Sequence, residues 1–432
     1  HNFMKKFYFL SLMFALVLQA TAQVWDGVTS QVWTQGEGSQ SNPYLIETPA
    51  HLAYFSASIG RGEVYAGKYF RLVNDLNMGD KEFPVIGKYN KSTDSQTQVT
   101  VDSSFYFKGT FDGNHKTIDH LLITKAPAAT GSIAGQALSL GGVALFACST
   151  EGTVIKNVTI GANSMINVDG EVVGSIIGKM EGGLLENCVN LGTVKAGTIG
   201  GGLVGATTDG SIIRYCANKG VVTVAGMVAG GIVGQIEKGT TILACYNAGA
   251  VTSGYVYCGG IVGVTYDNSV VKNCYNTGKV TAVKNFLSTP HAIIGDNDAG
   301  KTTTADNYYV AALSGVEEPL ATSVTEAEFK SNDMIEKLNK NLDATVFVAD
   351  SKNKNGGFPA FAWEQSEVTG IAAAQIQANI ELNGRNISSS QLLTIYDLSG
   401  RVVVKGNNVT LPDGGIYLIS APQQPTMKVL VK

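Results

Sequence analysis

Cys188-Val-Asn-Leu-Gly192, Cys216-Ala-Asn-Lys-Gly220, Cys245-Tyr-Asn-Ala-Gly249 and Cys274-Tyr-Asn-Thr-Gly278 are one phrase written four times at near-constant spacing. A second phrase keeps step with it: Val173-Gly-Ser-Ile-Ile-Gly178, Gly201-Gly-Leu-Val-Gly205, Gly230-Gly-Ile-Val-Gly234 and Gly259-Gly-Ile-Val-Gly263. Self-similarity at this period marks a solenoid, in which each repeat buries its apolar face only by stacking on its neighbours. Within one period, Gly230 to Gly259, the apolar runs are Gly-Ile-Val-Gly, Thr240 to Tyr246 and Ala250 to Thr252. Each is too short for a helix of normal length, and the glycines would weaken one further. Three short strands per coil of about 29 residues predict an all-β fold, a right-handed parallel β-helix whose coils stack at roughly 4.8 Å. Tyr69 to Tyr309 has room for roughly eight coils, a rod on the order of 40 Å long.

Side chains alternate across a strand, so Leu243 and Cys245 share one face, taken as the interior, and Ile242, Ala244 and Tyr246 the other. The four cysteines then form one internal file. Asn190, Asn218, Asn247 and Asn276 are expected at the following corner, where Asn tolerates left-handed geometry and amides bond along a stack. The glycine two residues later is expected to supply a positive φ there. Stacked cysteines leave their Cβ atoms slightly too far apart for good disulfide geometry, which favours free buried thiols over bridges between coils. Cys148 and Cys258 stand outside the file.

The GG[IL]VG and NCYNxG phrases resemble the GLUG repeats of bacterial surface and adhesin-like proteins. Flanking stretches are similar to the usual lead-in: Asn42-Pro-Tyr-Leu-Ile46 with Thr48-Pro-Ala-His-Leu52, Gly67-Lys-Tyr-Phe-Arg-Leu72, Phe83-Pro-Val-Ile-Gly87 and Gly109-Thr-Phe-Asp-Gly-Asn-His-Lys-Thr-Ile118. The resemblance spans roughly residues 40 to 364. It implies a fold, and no chemical mechanism travels with it. The terminal coils depart from the pattern: the next echo after Gly263 is His291-Ala-Ile-Ile-Gly295, and Asp306-Asn-Tyr-Tyr309 lacks the cysteine. End coils have one face without a neighbour, so such departures are expected.

Met4-Lys5-Lys6, an apolar run from Phe7 to Leu18 and Ala20-Thr-Ala22 before Gln23 have the pattern of a secretory signal over residues 1–22. The run is too short to span a bilayer and no later stretch is longer, so no transmembrane helix is expected. The expectation is export to the surface or exterior of a Gram-negative cell. Gly is 51 of 432 residues, as a turn-rich β-protein requires. Without Lys5 and Lys6 the charge balance is 29 minus 35, or −6, with no Lys/Arg cluster, which argues against nucleic acid as a partner.

Residues 23–68 form an N-terminal segment with a capping helix, since Thr48-Pro49 reads as N-cap and first helical residue before the stripe Leu52, Phe55 and Ile59. The β-helix proper covers 69–310. Residues 311–364 form a C-terminal cap with a helix over 326–341, opened by the capping box Thr325/Glu328 and carrying Ile335, Leu338 and Leu342 on one face. Residues 365–375 read as a linker and 376–432 as a small β-sandwich. Ile395-Tyr-Asp-Leu-Ser-Gly-Arg401 and Leu411-Pro-Asp-Gly-Gly-Ile-Tyr417, closing on Lys428-Val-Leu-Val-Lys432, resemble the C-terminal sorting domains of Bacteroidetes type IX secretion. That resemblance implies secretion machinery as a partner of 376–432.

An enzyme on a parallel β-helix needs several carboxylates, or Ca²⁺ with a base, projecting from neighbouring coils. Over 170–280 the acids are Glu171, Glu181, Glu186, Asp209, Glu237 and Asp267, and they are read as sharing no phase. The densest polar cluster is Asp112, Asn114, His115, Lys116, Asp119 and His120. It reads either as a sugar-bracketing set or as a turn before the strand Thr117 to Thr124. Asp296-Asn-Asp298-Ala-Gly300 lacks the bidentate acid of a calcium loop, and neither metal nor cofactor is expected. Tyr246 and Tyr275 follow the file cysteine in consecutive coils and are predicted to stack outward, with Tyr215, Tyr255, Tyr257 and Tyr266 nearby. Exposed, they would suit sugar rings or a protein partner; otherwise they cover a corner. The expectation is an exported, non-catalytic adhesin-like protein binding an extracellular glycan or a host surface protein. The alternatives are a polysaccharide lyase or glycoside hydrolase, or a structural stalk.

Overall fold

The computed structural model describes residues 23–93, 97, 99–127, 141–169, 171–208, 210–283, 290–297, 300–365, 380–383, 385–396, 402–412, 415–420 and 427–431. The leader over 1–22, and the linker after Gln365, lie outside them. The chain divides into two compact units, His1–Ala349 with Asn355–Pro359 and Asp350–Lys354 with Ala360–Lys432.

The first unit is a parallel β-solenoid. Val194, Val222, Val251 and Val280 are successive ladder partners. Their spacing is that of the file cysteines, so one sequence repeat is one coil. One ladder runs through eight successive strands from Tyr69–Leu72 to Thr303–Ala305, and Tyr44–Ile46 pairs in parallel on the first of them. A coil such as Thr241 to Asp267 holds five strands: Thr241–Leu243, Tyr246–Asn247, Val251–Ser253, Tyr257–Gly259 and Val262–Asp267. Three were expected. Tyr257–Gly259 was not legible, and the run over 240–246 is broken at Ala244.

That break has one cause. The residue before each file cysteine is left-handed: Asn187 at φ 52, Tyr215 at 57, Ala244 at 49 and Asn273 at 54. The corner therefore lies three residues ahead of the asparagines on which it was expected. A single left-handed residue also resets the alternation, so Ile242 and Cys245, three apart, both point inward and are fully buried. Leu243 turns outward instead of joining Cys245. The six cysteines are free and buried. Each file thiol donates to the carbonyl two residues back, Cys188 to Glu186 at 3.2 Å and Cys216 to Arg214 at 3.1 Å for example.

The asparagines form an internal amide ladder. Nδ2 of Asn190, Asn218 and Asn247 donates to Oδ1 of the asparagine one coil on, each at 2.8 Å. The same Nδ2 donates to the carbonyl of Gly192, Gly220 or Gly249 at 2.8 to 3.0 Å. All four asparagines are fully buried, and they survive there because their amides are paired. The glycines of this phrase do not have positive φ. They are required by close approach, because a methyl on Gly249 would stand 1.8 Å from the Gly220 carbonyl oxygen. The second phrase meets the first at the same place: a methyl on Gly231 would stand 1.9 Å from the Gly260 oxygen and 2.5 Å from Asn247 Cγ.

Both ends of the rod are closed. Helix α1, Pro49–Gly60, has Thr48 as N-cap accepting from the His51 N–H, and buries Leu52, Phe55 and Ile59. Phe55 packs on Phe70, Phe107 and Phe111 of the first coils, with ring centroids 4.5, 5.2 and 5.7 Å away. The far end is sealed by helix α2, Ala311–Ser314, and the segment after it, whose Val316, Leu320 and Ala321 pack on the solenoid core. There the buried Glu318 carboxylate accepts the N–H groups of Ile293 and Ile294, both at 2.9 Å, which lack a further coil to pair with. The helix predicted over 326–341 is two short ones, α3 (Glu326–Phe329) and α4 (Asn332–Leu338), divided where Ser331 caps the second. The capping box of Thr325 and Glu328 is present. These helices lie along the side of the solenoid rather than across its end: Asn273 Nδ2 donates to the Leu338 and Lys340 carbonyls at 3.1 and 2.9 Å.

In the second unit Ile380–Asn383, Asn386–Tyr396, Val402–Thr410, Gly415–Ser420 and Met427–Val431 pair antiparallel. Ile387, Leu393, Ile395, Val409, Leu411, Tyr417 and Ile419 make its core.

Candidate binding face

Tyr246 and Tyr275 do leave the strand outward and stack, with centroids 4.8 Å apart and planes 2° from parallel. They are not an exposed file: both are fully buried. Residues 326–349 and Asn355–Pro359 fold back over them. Phe329 and Phe347 lie 5.0 and 5.6 Å from the Tyr275 ring. The Tyr275 hydroxyl donates to the Pro359 carbonyl and accepts from Asn355 Nδ2 at 2.7 Å. Lys219 covers the Tyr246 ring at 5.5 Å. The pair is a platform for the chain's own strap, and long-range covering of this kind leaves no trace in local alternation. Tyr215 is the left-handed corner residue, half-buried beneath the Arg214 guanidinium at 5.4 Å.

The segment from Asp112 to His120 is a set of turn locks. Asp112 Oδ1 accepts from the Asn114 N–H and from Asn157 Nδ2, each at 2.8 Å, and its other oxygen faces Arg71 at 3.6 Å. Asn114 and His115, at φ 50 and 54, make a two-residue excursion where the next coil has only Asn157. Asp119 accepts from the His120 and Asn163 N–H groups and from Asn163 Nδ2 at 2.9 to 3.0 Å. Burial raises its carboxyl, and the bonds from Asn163 and His120 more than offset this, holding it below the ordinary carboxylate range. His120 pairs with Asp80 at 3.0 Å. Lys116 is half-buried on the same strand and joins none of these bonds among those described. The carboxylates are engaged within the turn and do not converge on a common point.

The side chains that do converge lie on the flank carrying the Val262–Asp267 strands. Counting three residues from the last glycine of each second phrase gives Glu181, Thr208, Glu237 and Tyr266, one outward file. The acids were read as sharing no phase; Glu181 and Glu237 share one, two rungs or roughly 9.6 Å apart. The signal was present in the glycine numbering, which the cysteine count obscured. Glu181 is the hub of a network. Tyr89 and Tyr106 hydroxyls donate to its two oxygens at 3.0 and 3.1 Å, and Lys91 Nζ lies 2.5 Å away. Asp102 lies 3.1 Å from the Tyr106 hydroxyl, whose one proton is shared between it and Glu181, and faces Lys91 at 3.6 Å. Lys179 pairs with Glu237 at 3.3 Å and sits 4.8 Å over the Tyr89 ring. Burial, reinforced by the Glu181 charge, pushes both phenols far above the ordinary tyrosine range, so neither serves as a base at neutral pH. The network pins Tyr89, Lys91, Asp102 and Tyr106 to the flank.

Toward the C-terminal coils the same flank becomes aromatic. Val172, Ile199 and Val228, with Tyr257 in line one coil on, fill a seam against Ala206 and Val264, and Tyr257 and Tyr266 close its mouth half-buried. Gly205 and Gly263 make room for it: Val172 and Val228 methyls would stand 2.6 Å from a Cβ at the respective glycine. Tyr255, two residues before Tyr257, and Met227 of the preceding coil, whose carbonyl accepts from the Tyr257 N–H, are 44% and 50% exposed. Tyr255 and Tyr266 of the predicted set are thus presented to solvent, and Tyr257 joins them. A cavity of about 50 Å³ near Trp25 and Asp26 has room for water only. Among the described residues no group of three or more His, Cys, Asp or Glu could hold a metal, and no helix is long and apolar enough to cross a membrane.

Residues 254–281 match the GLUG motif. They hold the Tyr257–Gly259 strand, the last Gly-Gly-Ile-Val-Gly phrase and the last cysteine phrase, so the match is one coil of the solenoid. Over 190 residues the chain is 27% identical to halomucin of Haloquadratum walsbyi, which covers 44% of this chain and 2% of that protein. The chain thus spans about one-fiftieth of that relative's length. A Bacteroides ovatus crystal structure provisionally named an immunoglobulin A1 protease superposes with a TM-score of 0.49 at 18% identity, covering 77% of this chain and 95% of that one.

Proposed function

We propose that this is an exported, non-catalytic surface protein that binds an extracellular glycan or a host surface protein through the flank mouth formed by Tyr255, Tyr257 and Tyr266. The leader pattern and the GLUG motif support export to the cell surface of a Gram-negative bacterium, with the C-terminal module addressing the secretion machinery. The observation that carries the binding reading is the pairing of accessible tyrosines with carboxylates already engaged. Aromatic faces suit sugar rings and protein anchors alike, whereas Glu181 and Asp102 share the one Lys91 ammonium and Glu181 is further held by the Tyr89 and Tyr106 hydroxyls.

Full-length mature chain applied to arrayed glycans and mucins is expected to bind, with Tyr266→Ala and Tyr257→Ala each weakening binding roughly tenfold, the contribution of one stacked ring. No reducing or unsaturated sugar ends are expected to appear. The competing reading, polysaccharide hydrolysis, has one observation in its favour. Glu181 and Glu237 stand in one outward file two rungs apart, two carboxylates on one face of neighbouring coils. Released ends abolished by Glu237→Gln would establish it and overturn the binding-only reading.

A further inference from the structure

At the N-terminal end of the rod the structure gathers aromatic side chains that the flank does not use. Trp33 is half-buried with Tyr44, Tyr54 and Tyr65 around it, ring centroids 5.2, 5.4 and 6.1 Å away. All three tyrosines are themselves half-buried, each presenting part of its surface to solvent. Beneath them Phe55 and Phe70 are fully buried, so the outer rings rest on a rigid floor. We propose that this cluster is a second binding site, one that takes an uncharged pyranose ring of a glycan stacked against Trp33.

Four observations carry it. First, the two tryptophans of this region differ. Trp25 is buried and its indole N–H donates to the Thr29 carbonyl at 2.9 Å, whereas the Trp33 N–H is neither buried nor bonded within the chain among the described residues. A tryptophan with one apolar face packed and its donor left to solvent is arranged for an amphipathic ligand. Second, Tyr44 and Tyr54 stand against Trp33 above the Phe55 and Phe70 floor, while the Tyr65 hydroxyl pairs with the fully buried Ser58 and anchors its ring. Apolar walls with a few convergent polar groups are the usual make-up of a small-ligand site. Third, Tyr65 is held at φ 52, a conformation costly for a bulky residue, and it persists because the turn is locked by the Lys68 N–H donating to the Tyr65 carbonyl at 3.0 Å. Fourth, the charges at the rim are of both signs. Arg61 lies 5.4 Å over the Tyr54 ring and Glu63 stands near Tyr65, which leaves no field to attract a polyanion. Stacking and hydroxyl pairing with a neutral sugar match that balance; a sulfated or uronic chain does not.

The site lies against the first coil and the flank mouth five rungs along the rod, roughly 24 Å away. The two are therefore separable by mutation. Full-length mature chain is titrated with cellohexaose, chitohexaose, mannohexaose and laminarihexaose, following tryptophan emission and heat of binding together. At least one hexasaccharide is expected to shift the emission and bind. Trp33→Ala should weaken that binding tenfold or more and Trp33→Phe should remove the emission change. The rim variant Tyr54→Ala keeps the floor intact and should weaken binding severalfold, so the result stands if Trp33→Ala fails to fold. Tyr266→Ala should leave the emission change and its midpoint unchanged, even if it removes the part of the heat that comes from the flank. No response to any of the four sugars up to about 10 mM, well above a useful carbohydrate affinity, overturns the proposal. So does a response that survives both Trp33→Ala and Tyr54→Ala, or one obtained only with charged glycans.

Discussion

Asn247 shows how much a single position does in this fold. Its amide accepts from Asn218, donates to Asn276 and donates to the Gly249 carbonyl, in an interior where none of these groups meets water. Alanine there leaves a buried donor on Asn218 and a bare carbonyl on Gly249 in one stroke. The expected loss is about 2–4 kcal/mol in urea unfolding, well above that of removing an exposed side chain. The identity of this residue was legible from its recurrence. Its conformation was not, because Asn favours both left-handed corners and amide ladders, and here the corner fell to Asn187, Tyr215, Ala244 and Asn273. Ala244 and Tyr215 make the point: nothing in their chemistry advertises a left-handed φ, and stacking on the neighbouring coils imposes it.

Among the elements, the strap of residues 326–349 and 355–359 is the part that local reading missed. Amphipathic spacing located its helices and the capping box, yet could not say which surface their apolar side chains meet. They meet the Tyr246 and Tyr275 platform rather than the end of the rod, and the end is closed by Glu318 and its segment instead. Phe329→Ala removes a fully buried ring between the strap and that platform. The expected cost is about 3–5 kcal/mol, with loss of the near-ultraviolet tyrosine signal and faster hydrogen exchange along the strap before the solenoid itself opens. A global loss of solenoid protection at the same denaturant concentration would show that the strap and coils are one cooperative unit.

For the whole molecule, the repeat makes stability close to a sum of coils and of contacts between adjacent coils. Removing the stretch 245–273 joins Ala244 to Cys274 and deletes one coil while keeping the amide ladder, the glycine contacts and both closed ends in register. Such a chain is expected to fold, with a urea m-value lower by about one-eighth of the solenoid's share. Removing only the stretch 245–264, a fraction of a period, joins Ala244 to Thr265, breaks the file and is expected to give no cooperative transition. The proposed sites use positions that the repeat leaves variable: the flank file changes from Glu181 to Tyr266 along one phase while the interior barely changes.

The solenoid, its period and its internal files could be read from the chain's own letters, because stacking like coils forces the same side chain into the same environment once per coil. Helix α1 and the capping box were equally readable, since their signals lie within a few neighbouring residues. Folding in three dimensions settled which tyrosines see solvent, which groups hold Glu181 and where Trp33 finds its partners. Those outcomes rest on contacts beyond the range of local alternation, 92 residues apart where Tyr89 meets Glu181 and 84 where Tyr275 meets Pro359. A strand's alternation says that a side chain points outward; it carries no information about what else folds over it.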